Sequence, residues 1–160
     1  MSELLDWVEK SAIENLKLHH ASADVMAKDS ATTLTVFLAA LGGGLAYAAK
    51  AIEQNSLSWL SVGAIAFTVW FLILSLLLVR NCLMVREIPA VYNEPRNLYQ
   101  PEFSVEALKE AEIEGLQKRI DTAASSNAKV AKWLNGLRLA AAASPLLFIF
   151  AAFAAWKAVA

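Results

Sequence analysis

Three stretches of this chain, Ala31 to Ala49, Leu57 to Val79 and Leu139 to Trp156, contain no Asp, Glu, Lys, Arg or His. At about 1.5 Å per helical residue each extends on the order of 27 to 34 Å, which matches a hydrocarbon core of about 30 Å. A soluble amphipathic helix would place a polar residue at every third or fourth position, and these stretches do not. The expected fold is therefore an all-α integral membrane protein with three transmembrane helices. Ionisable groups inside a span usually mark proton relays, ion-coupling sites and voltage sensors, so their absence argues against a coupled transporter. The spans show no activated nucleophile, base or metal cluster, and the chain is not expected to be an enzyme.

Cysteine is almost as scarce. Cys82 is the single one, which excludes an intramolecular disulfide and a multi-cysteine metal site; it reads as a small packing residue at the inner end of the second span. The two histidines, His19 and His20, are neighbours on a helix and point about 100° apart, poor geometry for ligating one metal. They read as solvated or interfacial helix surface. Gly42-Gly43-Gly44 lies inside a span and lacks the lysine of a phosphate loop. No metal and no cofactor is expected.

What charge there is sets an orientation. Lys10, Lys17 and Lys28 precede the first span, and Arg80, Arg86, Arg96, Lys109, Lys118, Arg119, Lys129, Lys132 and Arg138 lie between the second and third, leaving only Lys50 and Lys157 for the other side. By the positive-inside rule the N-terminus is expected on the cytoplasmic side and the C-terminus on the opposite side of the membrane. The segments are an amphipathic cytoplasmic helix over 1–30, a two-span hairpin over 31–79 turning at Ile52 to Ser56, a cytoplasmic loop and charged helix over 80–138, and a third span over 139–160. Met1-Ser2-Glu3 lacks the pattern of a cleaved secretion signal.

From Ser2 to Ser30 there is neither Pro nor Gly, and Leu5, Val8, Ala12, Leu16, His19 and Ala23 recur at helical spacing. Ser2 is placed to cap this helix, with Glu3, Asp6 and Glu9 near its positive end. With no breaker before Gly42 it is expected to run into the first span as a stalk; a bend near Lys28 to Ser30 is the alternative. Pro89, Pro95 and Pro101 preclude a continuous helix over Glu87 to Phe103. Ser104 then caps a second helix with the stripe Val105, Leu108, Glu112, Leu116, Ile120 and Ala124, which continues toward the third span, with weak helix formers at Ser125 to Asn127 and at Gly136 as places for a kink. Ser144-Pro145 marks another.

Acidic residues occupy the distal half of that helix, whereas Lys118, Arg119, Lys129, Lys132 and Arg138 occupy the half near the membrane. One reading is contact with anionic headgroups. The other is that several subunits together ring a vestibule with these residues and attract a phosphorylated ligand. Three helices cannot enclose a water-filled pore, so conduction requires a homo-oligomer. Thr32 and Thr35 offer hydroxyls at the cytoplasmic mouth, and Ala39, Gly42, Gly43 and Gly44 suit close helix packing or a pore lining. The second span, with Trp59, Phe67, Trp70 and Phe71, reads as lipid-facing.

The run ADVMAKDSATTLTVFLAALGGGLAYA, in which Asp24, Lys28 and Asp29 precede a span of small residues, resembles the first transmembrane entry of small membrane effectors in bacterial anti-phage signalling of the CBASS, Pycsar and Hailong types. The layout of entry helix, hairpin, cytoplasmic helix and third span is similar as well. That resemblance implies a homo-oligomeric bundle, with a tetramer as the expected number. It implies gating by a nucleotide or single-stranded oligonucleotide from a partner nucleotidyltransferase, with depolarisation or growth arrest as the outcome. It carries over no binding residue. The alternatives are a non-conducting membrane scaffold or accessory subunit that binds a protein through its cytoplasmic helices, and, third, a holin-like phage pore.

Overall fold

Without a proline or an internal turn signal, the first 50 residues have no reason to leave the helical conformation, and in the computed structural model α1 is one helix over Ser2–Glu53. The structure describes residues 2–54, 58–85 and 87–159. The tip of the expected hairpin, with Ser56, as well as the expected start of the second span at Leu57 and the basic residue Arg86, lies outside the described residues. The remaining elements are α2 (Trp59–Leu78), a π-helical turn over Val79–Leu83, α3 (Pro95–Leu98), α4 (Val105–Ala142) and α5 (Ser144–Val159). Among the described residues every regular element is helical. Two helices, Glu3–Glu53 and Trp59–Leu83, are long and apolar enough to cross a membrane; counting the bent pair of Val105–Ala142 and Ser144–Ala158 as one span makes three.

Local signals account for the boundaries. Ser58 and Ser61 form a capping box at the start of α2, each side chain meeting the other residue's backbone N–H at 3.3–3.4 Å. Ser104 caps α4, its Oγ accepting the Ala107 N–H at 3.2 Å. α1 begins at Ser2 itself rather than after it. Pro95 occupies the first position of the short α3, where its missing N–H costs nothing, so the proline-rich loop holds one helical turn. Neither Ser125 to Asn127 nor Gly136 interrupts α4. The break falls at Ala143, where α4 and α5 meet at 43°. Pro145 cannot donate there, and the carbonyl of Ala140 accepts the Trp70 indole N–H at 3.4 Å.

The chain forms two compact units, Met1–Met26 with Val85–Val130 and Ala27–Met84 with Ala131–Ala160, and the division falls inside α1 and α4. In the first unit α1 and α4 run parallel, as the pairs Asp6 with Lys109 and His19 with Asn127 show. Leu16, Leu116, Ile120 and Ala123 are its core, flanked by Ala12 and Ile13. Leu16 and Leu116 are fully buried, each contributing about 1.5–3 kcal/mol of hydrophobic stabilisation.

In the second unit one face of α2 packs against α1 and α5, while its other face carries exposed apolar side chains. Its small residues explain why: Gly63 lies against Phe148 and Ala152 of α5, and Thr68 lies against Gly44 of α1. Phe71 packs edge-on to Phe37 with centroids 5.5 Å apart. The hydroxyls of Thr68 and Ser75 donate to the carbonyls of Ala64 and Phe71, at 2.8 and 2.7 Å, so they are satisfied without water. The bulky residues Val62, Ile65, Val69, Leu72 and Leu76 remain on the outside.

Glycine is required at position 44, where a Cβ would overlap the Thr68 hydroxyl, whereas nothing lies within 4 Å of a Cβ at Gly42 or Gly43. Gly44→Ala is expected to lower stability by about 1–3 kcal/mol, measured as thermal unfolding in detergent. Gly43→Ala should change it little, and Thr68→Ala should restore much of the loss in the Gly44→Ala background.

Candidate functional site

The five basic residues expected to meet a phosphorylated ligand separate into two chemical groups. Arg119 and Arg138 are committed within the protein. Arg119 donates from Nε to the Gly115 carbonyl (3.3 Å), from Nη1 to the Ala90 carbonyl (3.2 Å) and from Nη2 to the Glu112 carboxylate. Glu112 also accepts from Asn93 Nδ2 at 3.1 Å. The pair is largely buried, with side-chain exposures of 19% for Arg119 and 13% for Glu112. This explains the carboxylate that interrupts the apolar stripe of α4: it holds an arginine seven residues on, and through that arginine the loop at Ala90. In the second unit Arg138 Nε donates to Thr33 Oγ1 (3.0 Å), and Nη2 lies 3.3 Å from the Asp29 carbonyl and 3.4 Å from its carboxylate. It ties α4 to α1.

The lysines are outside these networks. Lys118 pairs with Glu114 at 2.7 Å, one turn back, and both are highly exposed at 74% and 71%. The hydrogen bond from Lys118, aided by its charge, holds the Glu114 carboxyl below its ordinary 4.5. Lys129 borders a shallow groove of about 450 Å³ along with Asp121, Thr122, Ser125 and Ser126. Residues 118, 122, 125 and 129 share one face of α4 by helical spacing. Asp121 already accepts from Gln117 at 2.8 Å, and Thr122 donates to the Lys118 carbonyl at 2.8 Å. Lys132 is exposed three residues beyond, in the second unit. Such a face offers ammonium groups and hydroxyls to an anion but no arginine fork.

Thr32, Thr35, Ala39, Gly42 and Gly43 are exposed on α1, and Gly44 is turned inward against Thr68. The hydroxyls of Thr32 and Thr35 donate to the carbonyls of Lys28 and Ala31, both at 3.1 Å. His19 and His20 are half-buried rather than solvated; the His19 carbonyl accepts Asn127 Nδ2 at 2.8 Å, and His20 Nε2 is buried without a hydrogen-bond partner. Cys82 is buried in the π-helical turn. No protein-family model, curated protein or solved structure matches this chain.

Sequence spacing alone misses the loop contacts. Ala90 and Asn93 reach Arg119 and Glu112, and Tyr92 lies under the Lys17 ammonium at 5.7 Å. The acid within an apolar stripe, followed by an arginine seven residues later, is the signal that points to the pair.

Two measurements check this electrostatic arrangement. Glu112→Ala, which strands the Arg119 charge in a nearly closed site, is expected to cost about 2–4 kcal/mol in unfolding experiments, with the double change to Leu at both positions recovering most of it. The depressed pKa of Glu114 contributes stability that is present above 4.5 and fades as pH falls through the folded value; in Lys118→Gln its titration, followed by carboxyl NMR, should move up toward 4.5.

Proposed function

We propose that this chain is a multi-pass protein of a bacterial inner membrane, with its N-terminus cytoplasmic and its C-terminus periplasmic. It works as a homo-oligomeric effector or ion channel that depolarises the cell in response to a phosphate-bearing signal. The observation that carries the reading is the pair of bilayer-length apolar helices, with the bent α4–α5 pair as a third candidate, together with exposed lysines on α4 just before its apolar end. Within the unit that holds the apolar segments, polar side chains return their hydrogen bonds to the backbone, as an apolar surround demands. The exposed lysines and hydroxyls suit a phosphate-bearing ligand; that the ligand is a nucleotide or a short single-stranded oligonucleotide made by a partner nucleotidyltransferase rests on the resemblance of layout. The anti-phage role rests on the resemblance of layout. The ligand-binding residues in this reading are Lys118, Lys129 and Lys132, since Arg119 and Arg138 are spent on Glu112, Asp29 and Thr33.

A membrane scaffold is the second reading, favoured by one observation: the first unit leaves Leu4, Trp7, Leu18 and Val25 exposed, large apolar groups suited to another protein.

Ion flux from liposomes containing the purified protein, with and without nucleotides or short oligonucleotides, tests the proposal. Ligand-dependent flux that is lost in a Lys129→Gln, Lys132→Gln variant is the expected outcome. Liposomes that stay tight under every condition, with correctly inserted protein, would move the assignment to the scaffold.

A further inference from the structure

Within the second unit, the seam between α2 and α5 holds a groove that their packing leaves open. Gly63 lets α5 approach at Phe148 and Ala152, and around that contact small side chains alternate with large ones, so the surface is concave. Toward the start of α2 a hollow of about 370 Å³ is bordered by Trp59, Phe148, Ala152, Phe153 and Trp156. Toward the bend at Ala143 a second hollow, of about 430 Å³, is bordered by Ala64, Phe67, Pro145 and Phe148. Phe148 and Ile149 border both, so the two join end to end.

Three properties of the groove name its occupant. Its walls are hydrocarbon: among the described residues that border it, only the two indoles carry a polar side-chain atom. Ile149, Phe153 and Trp156 are more than half exposed, so it opens outward. Its ends differ. Trp59 and Trp156, of a residue type enriched where hydrocarbon meets headgroup, stand at one end, and there the Lys157 ammonium lies 5.6 Å from the centroid of the Phe153 ring. The other end, at Phe67 and Pro145, is wholly apolar. Its length is that of one leaflet: from Trp59 to Phe67 and from Pro145 to Trp156 the helices advance about 12 and about 16 Å, close to half of a hydrocarbon core of about 30 Å.

An unfilled hollow forfeits the dispersion contacts of its lining, and the hydrocarbon at hand in a bilayer is an acyl chain, flexible enough to follow an irregular wall. A helix of another protein or of a second copy could fill the same space, but it has no use for a cation at one end. An amphiphile with one anionic end and one apolar tail matches both ends and the length. We propose that the α2–α5 groove binds a phospholipid of the leaflet on the Lys157 side. Its acyl chain lies along the groove from Trp156 toward Pro145, and its phosphate meets the Lys157 ammonium, with the indole N–H groups of Trp59 and Trp156 as further donors at that end. The site rests on the membrane-spanning reading above and adds to it a bound lipid that bridges α2 and α5.

Electron spin resonance of the full chain in phosphatidylcholine vesicles tests the site, with a trace of phosphatidylglycerol that carries a nitroxide on its acyl chain. The wild-type chain is expected to immobilise this probe at least about fivefold in preference to the same label on phosphatidylcholine, the bias that one lysine near the surface supplies. Lys157→Gln, which removes the headgroup contact, and Ile149→Trp, which fills the groove from an exposed position, are each expected to cut that preference about fivefold. A wild-type chain without the preference, or a preference that either variant leaves unchanged, overturns the site; a second copy or another helix seated in the groove would exclude the probe and so give the first of these results. Resistance of the same vesicles to alkaline extraction is measured alongside. A chain that stays in the bilayer without the preference overturns the lipid site and leaves the membrane reading standing, whereas a chain released by alkali overturns both.

Discussion

Leu16, Ser30, Phe37 and Ala51 are buried on α1, with Ala23 and Gly44 half-buried between them, all at intervals of seven residues or a multiple of seven. An ideal helix drifts by about 20° per heptad against such a repeat. In each unit the part of α1 that turns inward keeps this spacing. Two positions on that face are matched to their neighbours: leucine in the cluster with Leu116 and Ile120, and glycine where Thr68 approaches.

Electrostatics then divides the basic residues by type. The guanidinium groups, with five donors in a rigid plane, are drawn into contacts that use several donors at once: Arg119 with two carbonyls and a carboxylate, Arg138 with a hydroxyl, a carbonyl and a carboxylate. Lys118 and Lys129 gain less from a fixed partner and stay at the surface. Lys109 is intermediate: its hydrogen bond to Asp6 raises its pKa from the ordinary 10.5, against the opposing effect of desolvation, and it ties the start of α4 to the start of α1. The basic residues are thus of two kinds, arginines held by several partners at once and lysines left at the surface.

Much of the helix plan was legible in the residues. The lack of breakers up to Gly42 implied a continuous α1, Ser104 was readable as a cap, and Ser144-Pro145 marked the break that occurs. The stripe from Leu5 to Ala23 is the face that turns inward. Which face of α2 packs inward was not legible, because a helix rich in Leu, Phe and Trp looks alike on every side. Only the pairing of Gly63 with Phe148 and of Thr68 with Gly44 distinguishes them, and pairing is not written in one strand of sequence. The candidate ligand face was legible as a cluster of positive charge, but not its division, since that depends on a loop folding back to Arg119 and on α1 presenting Asp29 and Thr33 to Arg138. The π-helical turn at Val79–Leu83 had no sequence signal.

Trp70 is large and aromatic, but its contribution at the bend between α4 and α5 is a single N–H group directed at the Ala140 carbonyl. Pro145 has no N–H for the Ala141 carbonyl, and the break at Ala143 opens the end of α4, so carbonyls there lose their helical donors. The indole brings one donor to the Ala140 carbonyl while the rest of its surface stays hydrocarbon-like. A tryptophan that reads from the sequence as apolar bulk is thus also a polar tie between α2 and the end of α4.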